Sequence, residues 1–258
     1  MASVDLYDGN NVMIRALTNF NPHNRSALDL RRRFAASRAN EIWCFDGRNH
    51  NDRRREIYAP YKRNREPLGE NIYSYINLWK QLLQHSPASM VEVPLWEADD
   101  VIGTLARRFA ARGTSVVVHS NDADYLQLTA NPLIRINGVQ NPPTDGKLVA
   151  LYKACVGDSS DNIKGIPGFG KGTWAAMDGH YEALQEAIRT INPAPLQDLP
   201  LPKRVKTWLL ELENVALVQA MFLITHFFKV PDEELNASVI KGTPDYEKAE
   251  ALLQRYFL

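Results

Sequence analysis

Short apolar runs that lead into an acidic residue recur along the first half of the chain, and this feature constrains the fold most. The runs and acids are Ser3 to Tyr7 before Asp8, Glu41 to Phe45 before Asp46, and Ser115 to His119 shortly before Asp122. Each run has the length and the β-branched or aromatic content of a buried strand. Helical patterns lie between the runs, and strands that alternate with helices are typical of a parallel sheet. The sequence therefore predicts an α/β fold with a mostly parallel central sheet flanked by helices.

The acidic residues of this pattern are predicted to lie close together in space. Ligand sites in such sheets gather at the carboxyl ends of the strands, where Asp8, Asp46 and Asp122 would lie. Glu97 would lie in the turn after a strand predicted at Met90 to Val93. Like charges this close are unfavourable unless a cation lies between them. A single acidic cluster is usually a solvated surface, but its recurrence at strand ends favours a functional site.

The segment 157–170 combines two acids with several glycines. Asp158 and Asp161 are three residues apart, and Gly165, Gly168 and Gly170 follow them. Glycine-rich turns expose backbone N–H groups, which suit a phosphate. Two lysines, Lys164 and Lys171, flank the glycines and could face a polyanion. The alternative interpretation is an ordinary connection between helices that carries surface acids.

Composition limits the possible partners and compartments. The 258 residues carry 30 basic and 30 acidic side chains, so nucleic-acid binding would depend on local basic patches rather than on net charge. The two cysteines give no disulfide framework or zinc site, which favours a reducing compartment. We see no secretion signal and no apolar segment long enough to span a bilayer. A cytoplasmic, membrane-free monomer is expected.

The pattern changes from alternating strands and helices to helices alone near Lys147. We predict an α/β core over residues 1–146 and a helical part over residues 147–258. Within the core, residues 48–90 are rich in arginine at first and then hold one predicted helix, Asn71 to His85. A single long helix is predicted from Lys203 to Lys229.

Six short motifs follow one another along the chain: Tyr7-Asp8-Gly9-Asn10-Asn11, Phe45-Asp46-Gly47, Tyr61-Lys62-Arg63-Asn64-Arg65, Glu97-Ala98-Asp99-Asp100, Ser120-Asn121-Asp122-Ala123-Asp124-Tyr125 and the segment 157–170. Their content and order resemble the flap endonuclease and 5′→3′ exonuclease family, especially its compact stand-alone bacteriophage members. The resemblance covers residues 6–174, and a member encoded by a bacteriophage would act in the host cytoplasm. It implies a divalent-metal-dependent nuclease that cleaves 5′-flap, nicked or 5′-ended duplex DNA by structure rather than sequence, and it leaves RNA–DNA hybrids open as substrates.

The resemblance also implies two groups of metal ligands for Mg²⁺ or Mn²⁺, which prefer hard carboxylate oxygens. Asp122 would lie near both ions, which together would stabilise the attacking and leaving oxygens of phosphodiester cleavage. The first group is Asp8, Asp46, Glu97, Asp99, Asp100 and Asp122, and the second is Asp124, Asp158 and Asp161.

Basic and aromatic residues of the motifs would contact the DNA. By resemblance, Lys62 and Arg65 would hold the scissile phosphate, and Tyr61 would stack on a base. Arg15 is a further candidate for a phosphate contact. Residues 157–175 resemble the helix–two-turn–helix motif, which grips duplex backbone through main-chain amides and sometimes holds K⁺. Its contacts here would come from Lys164, Gly165, Gly168, Gly170 and Lys171.

The chain departs from the family pattern at three places. Ala123 replaces a residue that is often basic, and Lys171 follows Gly170 directly instead of lying two residues later. The span from Arg65 to Glu97 is short for a large helical arch, so only a short arch region is expected, over about residues 48–90. Two alternatives stay open, a PIN-like ribonuclease and a non-catalytic duplex-DNA-binding module, although the segment 157–170 disfavours the first and the complete set of acids disfavours the second.

Overall fold

The computed structural model describes residues 3–18, 24–139 and 144–257, which form two compact units. Unit 1 comprises Met1–His50, Pro67–Asn141 and Phe228–Leu258, and unit 2 comprises Asn51–Glu66 and Pro142–Phe227. The described helices are, in chain order, α1 Gly9–Thr18, α2 Asn24–Ala36, α3 Asp52–Ile57, α4 Glu70–Gln84, α5 Ala98–Ala110, α6 Val149–Val156, α7 Lys171–Ala176, α8 Tyr181–Thr190, α9 Lys203–Leu209, α10 Leu212–Ile224, α11 Asp232–Ala237 and α12 Tyr246–Phe257.

Unit 1 is built on a six-stranded sheet in which the order of strands is β5-β4-β1-β2-β3-β6. All neighbouring strands are parallel except β3 and β6, which pair antiparallel. The mostly parallel α/β fold predicted from the sequence is therefore confirmed. The strands are β1 Ser3–Asp8, β2 Glu41–Phe45, β3 Ser89–Glu92, β4 Ser115–His119, β5 Ile134–Asn137 and β6 Val239–Lys241.

Helices cover the sheet of unit 1. The helices α1, α2, α4 and α12 contribute to one buried cluster with Trp43 and Phe45 of β2, while α5 packs against β1, β2 and β4. Successive side chains of a strand point to opposite faces, so Cys44 lies on the other face from its two neighbours. Across the sheet, the ring of Tyr7 stacks between Trp43 and His119, with centroids 4.3 and 4.2 Å apart. This aromatic ladder joins β2, β1 and β4 near their carboxyl ends.

The helix α4 lies within the predicted short arch region of residues 48–90 and belongs to the core of unit 1. Its side chains Tyr75, Trp79 and Leu82 are each at most 2% exposed. Their helical spacing places them on one face, which packs into the same cluster as Trp43. Burial of such large side chains favours the docked helix by several kcal/mol in total, on the order of 2 kcal/mol each.

Unit 2 is helical, and α10 lies at its centre because it packs against α3, α6, α8 and α9. The buried side chain of Arg54 on α3 donates hydrogen bonds to the carbonyl of Ile224, at 2.8 Å, and of His226, at 3.1 Å. The last carbonyls of a helix lack partners within the helix, so this guanidinium caps the end of α10.

The compact units divide the chain differently from the predicted domains. The boundary near residue 146 is close to the observed one at 142, but residues 51–66 belong to the helical unit and residues 228–258 to the α/β unit. Residues 51–66 belong to the helical unit because Arg54 hydrogen-bonds to the end of α10. Residues 228–258 belong to the α/β unit because β6 pairs with β3 and α12 packs on α4.

The predicted long helix from Lys203 to Lys229 is two helices, α9 and α10, which meet at 93°. The side-chain amide of Asn214 donates to the carbonyl of Trp208 at 2.8 Å, so it satisfies a carbonyl that a continuing helix would have used. Among the described residues, no single helix is long and apolar enough to cross a membrane, and only this bent pair reaches that length together.

Candidate active site

The two acid–glycine pairs of unit 1 have a packing reason. A Cβ atom on Gly9 would lie 2.4 Å from the ring of Phe45, and one on Gly47 would lie 1.8 Å from the carbonyl oxygen of Val93. Only glycine permits these approaches. Each glycine thus follows an acid at a strand end, because Asp8 is the last residue of β1 and Asp46 comes directly after β2.

Asp8 is the centre of a buried hydrogen-bond network. Its Oδ2 accepts from Ser120 Oγ at 3.1 Å and from the Tyr125 hydroxyl at 3.2 Å, and its Oδ1 accepts from the backbone N–H of Asn11 at 3.1 Å. Burial, followed by the negative charge of Asp46, raises the pKa of Asp8 to about 7, and Asp122 adds to this rise. The carboxylates are therefore close enough to repel one another.

Asp46 and Asp99 connect this network to α5. Asp46 accepts from Asn10 Nδ2 at 3.1 Å and from the backbone N–H of Ala98 at 2.9 Å, which joins the end of β2 to the start of the helix. Asp99 accepts from the Tyr125 hydroxyl at 2.6 Å. One tyrosine thus contacts two of the predicted metal ligands.

The remaining acids of unit 1 have different surroundings. Glu97 and Asp124 are buried, and the half-buried Asp122 accepts from the backbone N–H of Asp124 at 2.9 Å. Asp100 accepts from the backbone N–H of Phe228 at 2.8 Å. Asp100 therefore helps to fix the start of the C-terminal segment of unit 1, a structural role that the motif did not predict.

The acids of unit 1 suit a divalent cation in chemistry and charge. They offer hard carboxylate oxygens. Burial first, and then the charges of Asp46 and Asp122, raise the pKa of Asp8, and a cation would offset the repulsion from those charges. Within residues 3–18, 24–139 and 144–257, no three Asp, Glu, His or Cys side chains converge closely enough to form a ready-made metal group. Hydrogen bonds to protein groups hold Asp8, Asp46 and Asp99 in this arrangement.

Unit 2 brings the predicted basic pair and the second acid pair together. The backbone N–H of Lys62 donates to the carbonyl of Asp161 at 3.0 Å, and Arg65 donates to the Asp161 carboxylate at 2.8 Å and to the Ser160 carbonyl at 3.0 Å. Asn162 Nδ2 donates back to the carbonyl of Pro60 at 2.7 Å. The segment 58–65 and the turn 158–163 therefore form one hydrogen-bonded assembly.

Two residues of this assembly have unusual backbone conformations. Lys62 has φ 51° and Asn162 has φ 56°, in the left-handed region that non-glycine residues seldom adopt. Asparagine tolerates this region better than lysine does. Such conformations cluster at functional sites, which is consistent with the role predicted for Lys62.

The segment 157–170 is a tight hairpin between α6 and α7. Asp158 and Ile163 form an antiparallel bridge, and a Cβ atom on Gly165 would lie 2.6 Å from the backbone nitrogen of Gly157. Gly165 is buried, so it allows the hairpin to close rather than facing a ligand. The other four residues predicted to contact DNA are all exposed: Lys164, Gly168, Gly170 and Lys171.

Two further predicted contacts have contrasting positions. Arg15 lies on the exposed side of α1. Tyr61 is only 3% exposed and belongs to the core of unit 2, and Lys62 Nζ lies 4.8 Å from its ring centroid. The expectation that Tyr61 stacks on a base does not fit this burial. Its ring faces the ammonium group of Lys62 instead.

Three residues at these sites received no role from the sequence. Ser120 and Tyr125 lie within the motif around Asp122, in which only the acids were predicted to act. Lys153 Nζ lies 2.7 Å from Asp158 and 3.4 Å from Asp161. No spacing rule indicates this lysine, because a helix end and a turn separate it from both acids.

The fold and this geometry define a class of α/β protein that carries a carboxylate centre at the carboxyl ends of a mostly parallel sheet. Residues 6–149, more than half of the chain, match the family described as "5'-3' exonuclease, N-terminal resolvase-like domain". The chain belongs to this family, as the resemblance of its motifs predicted.

Relatives and solved structures agree with this assignment. The 5'-3' exonuclease of Aquifex aeolicus is 33% identical over 148 residues, which are 53% of this chain and 51% of that protein. The chain spans about a fifth to about a half of the length of the curated relatives that it matches.

Two solved structures of bacteriophage T5 proteins share the fold. The T5 5'-exonuclease with bound zinc has a TM-score of 0.61 and 19% identity, and the match covers 86% of this chain and 87% of that one. The T5 flap endonuclease in a pseudo-enzyme–product complex with DNA and metal ions has a TM-score of 0.58 and 19% identity, with 86% and 89% covered. At this identity the likeness establishes the fold alone.

Proposed function

We propose that the chain is a divalent-metal-dependent 5′ nuclease that hydrolyses phosphodiester bonds in 5′-flap, nicked or 5′-ended duplex DNA. The observation that carries the proposal is the buried network of Asp8, Asp46, Asp99 and Tyr125 at the carboxyl edge of the sheet. Membership of the 5'-3' exonuclease family supports the reaction class. The solved T5 flap endonuclease with DNA and metal ions supports the substrate and the cofactor class.

The acids of unit 1 would hold the cation. Mg²⁺ or Mn²⁺ would supply Lewis-acid stabilisation of the charge that develops on the phosphodiester. The chain's own contribution is orientation: Asn10 and the backbone of Ala98 fix Asp46, while Ser120 and Tyr125 fix Asp8. Groups fixed in this way need little rearrangement during the reaction. Asp124 of unit 1, and Asp158 and Asp161 of unit 2, stay predicted ligands of a second cation.

Lys62 and Arg65 would stabilise the scissile phosphate. Their support is the assembly with the turn 158–163, which holds Lys62 in a strained conformation and Arg65 against Asp161. A residue that acts in the transition state changes turnover more than binding. Lys62→Ala is therefore expected to lower turnover far more than duplex affinity, and equal losses would make it a binding residue.

The exposed face of the hairpin would bind the duplex backbone. Lys164 and Lys171 form no ion pair with any residue of the described ranges, and Gly168 and Gly170 leave the backbone accessible. Contacts of this kind position a duplex without reading its sequence. The identity of the hairpin as a helix–two-turn–helix motif, K⁺ at it, and RNA–DNA hybrids as further substrates belong to this proposal.

The test is product mapping on a 5′-flap duplex labelled at either end, with Mg²⁺, with Mn²⁺ and with EDTA. Metal-dependent cleavage near the flap junction is expected for the wild type. Asp122→Asn is expected to lose at least about a thousandfold in rate, while Asp178→Asn, an exposed acid of unit 2, stays at the wild-type rate.

Each alternative has its own result in this experiment. Mononucleotides alone would make the protein chiefly an exonuclease. Tight duplex binding without cleavage in either metal would favour the non-catalytic module, and cleavage of single-stranded RNA alone would favour a PIN-like ribonuclease.

A further inference from the structure

The acid pair of the hairpin is already surrounded by cations of the chain. Lys153 Nζ lies 2.7 Å from Asp158 Oδ2 and 3.4 Å from Asp161 Oδ2. Arg65 Nη2 lies 2.8 Å from the other oxygen of Asp161. Two carboxylates and two cations thus form a locally neutral group, all within unit 2.

The ammonium group of Lys153 is the better shielded of the two cations. The side chain of Lys153 is 15% exposed, whereas that of Arg65 is 51% exposed. Interactions between partly buried charges are screened less by solvent and salt than those at the surface. Lys153 therefore contributes most of the compensation.

Asp158 has a second partner besides Lys153. Ser160 donates to Asp158 through both its hydroxyl, at 2.7 Å, and its backbone N–H, at 2.8 Å. Lys153 and Ser160 together hold the Asp158 carboxylate in place.

The position of Lys153 prevents it from leaving the pair easily. It lies in the last turn of α6, where a cation also suits the helix end. The backbone N–H of Gly157 donates to the carbonyl of Lys153 at 2.9 Å, which fixes the start of the hairpin. The backbone of Lys153 is therefore fixed next to the hairpin that carries the two acids.

We propose that Lys153 is a resident counter-cation of the Asp158–Asp161 pair, which stabilises the hairpin without metal and lowers the affinity of this pair for a divalent cation. The inference rests on the proposed function only in treating the pair as cation ligands. A divalent ion at the pair has to act against the ammonium charge. The acids of unit 1 and those of the hairpin would then differ in metal affinity.

The experiment compares Mn²⁺ titration and thermal unfolding for the wild type, Lys153→Met and Lys153→Arg. Removal of one positive charge at about 3 Å is expected to tighten Mn²⁺ binding at the pair by at least about tenfold. In EDTA, Lys153→Met is expected to lower Tm, and Mn²⁺ is expected to recover more of the loss than in the wild type. Lys153→Arg keeps the charge and should behave like the wild type, as should Lys147→Met, an exposed control.

Further variants test whether the tightened Mn²⁺ binding occurs at the Asp158–Asp161 pair. Adding Asp158→Asn to Lys153→Met should abolish the tightened binding. If Lys153→Met does not fold even with Mn²⁺, Lys153→Gln carries the same comparison. Unchanged or weaker Mn²⁺ binding in the neutral variants would overturn the inference. A wild type that binds nothing at the pair, with a neutral variant that gains a site, would support it. Failure of the nuclease proposal would be distinguished from failure of this inference, because only the cleavage assay measures nuclease activity.

Discussion

Tyr125 shows how one uncharged group can organise several acids. Its ring is fully buried, and its hydroxyl lies 2.6 Å from Asp99 and 3.2 Å from Asp8. Burial, followed by the nearby charges of Asp8 and Asp99, raises its pKa well above the ordinary value, so the hydroxyl stays protonated. A tyrosine that does not ionise is a fixed donor between two carboxylates.

Tyr125→Phe is expected to fold and to lose about tenfold or more in cleavage rate, because partners that orient metal ligands commonly contribute that much. The Mn²⁺ affinity of the variant should fall together with the rate, which a purely structural role would not produce. Tyr152→Phe is the matched control, since Tyr152 is also buried. An unchanged rate and affinity for Tyr125→Phe would remove Tyr125 from the site.

At the scale of elements, the segment 51–66 forms hydrogen bonds with two separate parts of unit 2, the end of α10 and the hairpin turn. Arg54 caps α10 from within the core, and Lys62 and Arg65 join the segment to the hairpin turn. The core of unit 2 thus holds both basic residues of the predicted site in place.

Arg54→Met is expected to lower the free energy of unfolding by about 3 kcal/mol, because it leaves buried carbonyls without donors. Urea unfolding measures the loss. Arg63→Met lies on the same segment but is exposed, so a change within about 0.5 kcal/mol is expected for it. Equal stability of the two variants would show that the cap contributes little.

The hairpin and α9 together present a basic surface. Arg204 of α9 lies against Gly168, since a Cβ atom on that glycine would come within 2.3 Å of its guanidinium. Lys164, Lys171 and Arg204 are all exposed on unit 2.

Each of Lys164→Ala, Lys171→Ala and Arg204→Ala is expected to reduce the slope of log affinity against log salt by about 1 on a duplex, because each contact with a phosphate releases about one counterion. Binding titrations at several salt concentrations measure the slope, and Lys147→Ala is the exposed control. A slope that none of the three variants changes would place the DNA on another surface.

At the scale of the whole molecule, the formal charges sum to zero, but acidic residues are concentrated at the candidate site of unit 1. The net charge is zero, yet burial of Asp8 and the nearby charges of Asp46 and Asp122 raise the pKa of Asp8 to about 7 from an ordinary value of 3.8. Folding therefore takes up a proton at intermediate pH. The stabilisation from protonated Asp8 is complete below about pH 4 and is lost as pH rises through about 7. Asp158 has the opposite effect in more acidic solution, because its pKa is lowered.

The metal-free protein is thus expected to lose stability between about pH 4 and pH 7, and the loss should be smaller in Asp8→Asn. Thermal unfolding in EDTA across this range measures the effect. At pH 8, Mn²⁺ should raise Tm more for the wild type than for Asp8→Asn, since the cation replaces the lost proton. Parallel pH profiles for the two proteins would contradict a charge cluster centred on Asp8.

Local patterns in the sequence determined the sheet and the edge at which the acids lie. The alternation of apolar runs and helices predicted β1, β2 and β4 closely, because strand and helix periods are properties of neighbouring residues. The same patterns predicted that Asp8, Asp46 and Asp122 would lie near one another, since the carboxyl ends of parallel strands share one edge. The ordered motifs predicted the family.

Contacts between distant parts of the chain decided the features that local patterns did not predict. Only the tertiary structure shows that α4 packs into the core, that Tyr61 is buried and that the C-terminal strand β6 pairs with β3. Lys153 finds its acids across the end of a helix and a turn, where no periodicity applies. Such contacts depend on packing and charge compensation over long sequence separations, and these become visible only when the chain is folded.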